Sequence, residues 1–158
     1  MLHRRTVFLL ICVFAVWAAS CSDTAVLDEN VAIDDNTWHY DDQPELGAHI
    51  TDKAKRYNVY LNLRHTAEYR YSNIFLLIHQ SGPGMADTTQ RVELKLAEPD
   101  GRWTGRSTGS MYAHQMLIHE NTLFPDTGIY RFVIEQNMRE NPLRGVADVG
   151  IRVTPNTP

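Results

Sequence analysis

Six histidines follow residue 20 of this 158-residue chain: His39, His49, His65, His79, His114 and His119. Imidazole is both a general base and a metal ligand, so their spacing is the first test for chemistry. None falls in HExxH or another compact metal spacing, and the chain has no cysteine beyond Cys21 to complete a Cys/His set. Surface or half-buried histidines are expected, with no metal and no cofactor. His114 and His119 differ by five, which on a regular strand places them on opposite faces. Gly105 to Gly109 lacks both the Walker pattern and the following helix that would cradle a phosphate. The GxSxG arrangement of a nucleophile elbow is absent throughout. Carboxylates are plentiful, but spacing singles out no pair for glycoside chemistry. No enzyme is expected.

Cys21 has the most specific surroundings. The chain opens with His3, Arg4 and Arg5, continues in an uncharged apolar run from Val7 to Ala19, and reaches Ala18-Ala19-Ser20 directly before the cysteine. A charged start, a short apolar core and small residues before a cut site make a secretory signal. The apolar run is well short of the roughly 18 residues of a membrane span. Small residues ahead of Cys21 resemble a bacterial lipoprotein box, in which the thiol is acylated and cleavage before it leaves a lipidated amino terminus. Several acyl chains, each contributing about 0.8 kcal/mol per buried CH₂, would hold such a product stably on a membrane. The expected division is therefore a cleaved signal over 1–20, a lipidated acidic tether over 21–43 and a folded domain over 44–158.

Removing residues 1–20 takes Arg4 and Arg5 and no acid, leaving thirteen basic against nineteen acidic residues, a net charge near −6. Such a balance disfavours nucleic acid as a partner. With Cys12 lost and Cys21 used for lipid, the mature chain has no disulfide, and stability must come from one hydrophobic core. Ser22 to Gln43 carries acidic pairs at Asp28-Glu29, Asp34-Asp35 and Asp41-Asp42 without the spacing of a calcium loop. It reads as a solvated tether, with Trp38 and Tyr40 marking where the chain first docks.

From there the hydrophobic period is two. Tyr57, Val59, Leu61 and Leu63 alternate with Asn58, Tyr60, Asn62 and Arg64, the pattern of a half-buried strand. Further strands are expected at Leu46–Ile50, Asn73–His79, Arg91–Leu96, Gln115–Leu123, Ile129–Gln136 and Val149–Val153, with 66–72 a polar loop and 103–110 loop or irregular strand. Pro99-Asp100-Gly101 and Phe124-Pro125-Asp126-Thr127-Gly128 punctuate them. Leu61, Leu63, Phe75, Leu77, Tyr130, Phe132 and Ile134 are the expected core. Seven or eight strands at this spacing, with no amphipathic helix, predict an all-β fold: a single antiparallel β-sandwich behind the signal and tether.

Three blocks, Tyr57 to Ile78 (YNVYLNLRHTAEYRYSNIFLLI), Leu96 to Gly105 (LAEPDGRWTG) and Gly128 to Val153 (GIYRFVIEQNMRENPLRGVADVGIRV), resemble the gliding-motility lipoprotein GldH family of Bacteroidota. Cys21, Trp38 and Phe124-Pro125 fit as well, so the resemblance spans nearly all of the mature chain. It implies a non-enzymatic envelope lipoprotein, held to the membrane by its lipid and serving as a structural or assembly component of the gliding machinery. Its implied partners are other envelope proteins of gliding and type IX secretion. With only Asp23 acidic just after Cys21, an outer-membrane anchor facing the periplasm is expected.

Two surfaces stand out for contact. Gln136 to Asp148 is polar, turn-rich and longer than the two to five residues or so that a hairpin needs. Arg139, Arg144 and Asp148 there form the expected partner surface, the bland alternative being that the arginines pair with Glu140 or Asp148. A rival reading is a glycan- or ligand-binding sandwich, with Trp103, Tyr69, Tyr71 and Tyr112 as an aromatic platform rather than as caps on the core.

Overall fold

In β4, Tyr57–Thr66, each alternate side chain from Tyr57 to His65 is buried, while Asn58, Tyr60, Asn62 and Arg64 face outward. That alternation puts one strand face in the core and leaves the other to water, and the same logic repeats along the chain. The protein is described here by a computed structural model covering residues 25–156. Before β4 come β1 (Leu27–Ala32), β2 (Thr37–Trp38) and β3 (Glu45–Ile50). After it come β5 (Asn73–Gly82), β6 (Met85–Lys95), β7 (Arg106–Thr108) and β8 (Met111–Thr122). The series ends with β9 (Gly128–Gln136), β10 (Leu143–Arg144) and β11 (Val146–Pro155). Among the described residues eight strands are long, and β2, β7 and β10 have only two or three residues.

Two main sheets form, ordered β1-β11-β4-β8-β7 and β3-β9-β5-β6, with β10-β2 as a small third. Every strand pairing is antiparallel. Leu61, Leu63, Val149 and Ile151 of the first sheet and Ile74, Leu76, Phe132 and Ile134 of the second fill one fully buried core. The molecule is an antiparallel β-sandwich, and the faces expected of β4, β9 and β11 are those observed.

Four expectations are corrected. The acidic segment does not stay a tether: from Leu27 onward it is β1, laddered along β11 from Leu27↔Val153 to Ala32↔Asp148. Only Leu27 of β1 is buried, so backbone bonds and polar side chains hold this strand, which hydrophobic periodicity cannot register. Trp38 is fully buried and donates its indole N–H to the Asp42 carbonyl at 2.6 Å, but docking has begun eleven residues earlier. In β5 the inward residues are Ile74, Leu76 and Ile78; Phe75 and Leu77 lie half-buried on the outer face. Both faces of β5 are apolar, so its phase is set by register against β6 and β9, not by composition.

His114 and His119 share a face instead of opposing each other. His114 stands across from Leu63 and His119 across from Val59, both inward positions of β4, because the register shifts between them. That bulge adds one residue to β8 and cancels the half-period. Finally, 106–108 forms the short strand β7 along the edge of β8, and β8 itself begins at Met111, before the Gln115 expected.

Candidate functional site

The segment between β9 and β11 is fastened at almost every residue. Buried Gln136 donates to the Glu140 carbonyl at 3.2 Å and accepts from the Met138 N–H at 3.0 Å, so one amide staples the turn from within. The Asn137 N–H donates to the Phe75 carbonyl at 2.8 Å, and the Tyr40 hydroxyl donates to the Met138 carbonyl at 2.7 Å. The Tyr71 hydroxyl reaches a Glu140 carboxylate oxygen at 2.6 Å. Leu143 is buried and pairs with Trp38 through the β10–β2 ladder. Gly145 closes the corner with φ +89°; a Cβ there would lie 2.7 Å from the Tyr69 backbone nitrogen. Only glycine takes that conformation at that approach without strain.

Arg139 and Arg144 are exposed, and neither has an ion-pair partner among the described residues. The acids expected to neutralise them are engaged elsewhere, Glu140 by Tyr71 and Asp148 by Arg64. Asp148 therefore does not belong with the two arginines. It sits on β11, nearly buried, with its Oδ2 2.6 Å from the Arg64 Nε. Arg139 instead borders a hollow of about 350 Å³ lined by Tyr71, Phe75, Arg91, Asn137 and Met138. There the Arg91 guanidinium lies 3.9 Å over the Phe75 ring, a cation–π contact, and its Nε donates to Asn137 Oδ1 at 3.0 Å. Arginine, aromatic residues and methionine are the types enriched where proteins touch one another. Sequence reasoning placed Phe75 in the core and did not find this hollow, whose residues come from three separated stretches.

Beneath that surface the aromatic residues close the end of the core. Buried His65 packs against Trp103, Tyr69, Tyr112 and His114, with ring centroids 4.5–5.5 Å apart. Tyr69 is buried and donates its hydroxyl to the Asn73 carbonyl at 2.9 Å, and burial, with its neighbours Tyr71 and Glu140, raises its pKa. Trp103 and Tyr69 are thus used in packing, and Tyr71, at 37% exposure, is the most open residue of the expected platform. Burial lowers the pKa of His65, and burial together with the neighbouring His65 lowers that of His114 to about 4. Among the described residues no group of three His, Cys, Asp or Glu side chains is placed to hold a metal. Cys21 lies outside the described residues.

The fold and these surfaces define an all-β sandwich that mounts a rigid cationic corner beside an aromatic hollow. The chain belongs to the GldH lipoprotein family, whose model matches residues 25–153. It is similar to the protein described as Gliding motility lipoprotein GldH homolog from Christiangramia forsetii, at 31% identity over 85% of this chain and 86% of that one. It is likewise similar to Gliding motility lipoprotein GldH from Flavobacterium johnsoniae, at 28% identity over 88% of this chain and 90% of that one. No solved structure matches it.

Proposed function

We propose that this chain is a non-enzymatic envelope lipoprotein of the gliding machinery, acylated at Cys21 after loss of residues 1–20. It acts as a structural or assembly component linked to type IX secretion, anchored in the outer membrane and facing the periplasm. Family membership and similarity to gliding motility lipoproteins of Christiangramia forsetii and Flavobacterium johnsoniae support the gliding lipoprotein reading. The observation that carries the assembly role is the fastened 136–145 connection, which holds Arg139 and Arg144 exposed and without acid partners among the described residues, with Arg139 beside the Tyr71–Phe75–Met138 hollow. A surface already ordered in the free protein loses little conformational entropy when a partner arrives. Two unpaired guanidinium groups favour an acidic partner surface.

Charge reversal tests this reading. The Arg139→Glu, Arg144→Glu double variant should fold and be lipidated as wild type, yet lose co-purification with envelope proteins of the motility apparatus, and lose gliding or secretion with it. Wild-type recovery of those partners and normal motility would remove this corner from the account.

A further inference from the structure

The outer face of the five-stranded sheet, remote from the arginine corner in sequence and mounted on different strands, carries a second constructed surface. Its outward positions form a groove of about 750 Å³ whose polar walls include Asn30, Asn62, Arg64, Arg106 and Gln115. Register explains the hollow. Arg64 of β4 and Arg106 of β7 both stand opposite Ala113 of β8, so a methyl group lies between two long cationic side chains in one row. Strands are about 4.8 Å apart, which puts the two arginine backbones about 10 Å from each other. One row along, Gln115 stands opposite Asn62, and Asn62 opposite Gly150. A Cβ at Gly150 would lie 2.2 Å from Asn30 Oδ1, so glycine is what lets the Asn30 amide fold across the sheet.

These amides are oriented by one another. Gln115 Nε2 donates to Asn62 Oδ1 at 2.9 Å, Asn62 Nδ2 donates to Asn30 Oδ1 at 3.2 Å, and Asn30 Nδ2 donates to Asp148 Oδ1 at 2.7 Å. Arg64 Nε meets the other Asp148 oxygen at 2.6 Å. Fastening β1 to the sheet accounts for Asn30, Asn62 and Asp148. It does not use Arg106, which has no partner among the described residues, nor the Gln115 carbonyl oxygen, nor the terminal nitrogens of Arg64. Arg64, Arg106 and Arg152 against Asp28 and Asp148 make this face locally positive in a chain whose net charge is −4. Tyr60 and Leu117, opposite each other in the next row, continue the same face with an aromatic and an apolar surface.

Unpaired guanidinium, pre-oriented amides and an adjacent aromatic ring are the complement of a ligand with one anion, several hydroxyls and an apolar ring face. We propose that this groove binds an anionic saccharide, its carboxylate or phosphate held over Ala113 between Arg64 and Arg106 and its hydroxyls bonded to Gln115 and Asn62. The flanking Asp28 and Asp148 select against dense polyanions. The methyl group of Ala113 sets the width that the anion occupies.

Calorimetric titration of the full-length chain in detergent micelles tests the site with four probes: tetragalacturonate, glucose 6-phosphate, neutral maltotetraose and tetraglutamate. At least one of the two anionic sugars should bind, and which one does identifies the anion. Arg106→Gln should weaken that binding about tenfold or more. Ala113→Leu, which fills the gap without changing charge, should abolish it while the thermal midpoint stays near wild type. Equal binding of maltotetraose would show that the anion is not read, and equal binding of tetraglutamate would make this a peptide site; either overturns the proposal. So would silence from both anionic sugars, or binding indifferent to Arg106→Gln and to Ala113→Leu. A second, independent variant guards the outcome against misfolding: Thr108→Leu narrows the same wall from β7 and should also weaken binding.

Discussion

The Nε2 atoms of His65 and His114 lie 3.1 Å apart. His65 Nδ1 is 2.9 Å from the Thr66 carbonyl and must be its donor, so His65 Nε2 is the acceptor and His114 carries the shared proton. Protonating His65 would set a second N–H against that of His114, and protonating either ring would bury a positive charge that the neutral pair does not carry. Burial lowers both pKa values in the folded state, and the neighbouring His65 adds to the lowering of His114, which falls to about 4, while the unfolded rings titrate near 6.5. Between those values the unfolded chain binds more protons, so stability is fully present above the unfolded pKa and is lost as pH falls from about 6.5 toward 4. A thermal midpoint that declines through that window, with a shallower decline in His114→Gln, is expected. A midpoint that rises on acidification would contradict the neutral pair.

Strand β5 offers a test of packing between adjacent residues. Leu76 is fully buried and Leu77 is half-buried on the opposite face. Leu76→Ala should cost about 2–5 kcal/mol, and Leu77→Ala well under half as much. Urea unfolding of the two variants decides it; equal losses would mean that the outer face is packed as tightly as the core.

How much of this was legible depends on whether a strand has two unlike faces. In β4 one side of the alternation is apolar and the other mostly polar, and in β9 and β11 large apolar residues fill one side while charges interrupt the other, so the core of Leu61, Leu63, Phe132 and Ile134 reads directly from the sequence. In β5, Phe75 and Leu77 are as apolar as Ile74 and Leu76, and only the register with β9 chooses between them. β1 shows the opposite failure: its residues look like solvated linker because their stabilising partners, Arg152 and the Asn62 amide, lie more than thirty residues away. The saccharide groove was invisible for the same reason. Its residues are spread over the wet faces of several strands, and only the sheet puts Arg64, Ala113 and Arg106 in one row.

Gly145 ties the arginine corner to the fold, since its carbonyl accepts from the Thr66 N–H and its own N–H donates to the Asn36 carbonyl, both at 2.8 Å. Gly145→Ala places a side chain where φ is +89° and the Tyr69 backbone is in contact. A loss of about 1–3 kcal/mol is expected, with new protease cleavage within 137–142 at native conditions. Unchanged stability and an uncut connection would show that the corner does not depend on this glycine.

Under the proposed lipidation, membrane attachment rests on the one sulfur of Cys21. Cys21→Ser should move the protein from the membrane fraction to the soluble fraction and abolish metabolic labelling with a fatty acid, leaving the sandwich fold intact. Protease added to intact cells should leave the wild-type protein whole, and degrade it only after the outer membrane is permeabilised. Degradation on intact cells would place the domain on the outside.

Site-specific photocrosslinking in living cells tests the assembly role most directly. A photoreactive residue at 139 or 144 should capture the same discrete envelope proteins. One at Ala54, in the β3–β4 turn at the opposite end of the sandwich, should capture none of them. Adducts from 139 and 144 that disappear in cells lacking the motility apparatus are the predicted result. Identical adducts from Ala54, or none from either arginine position, would contradict a docking role for this corner.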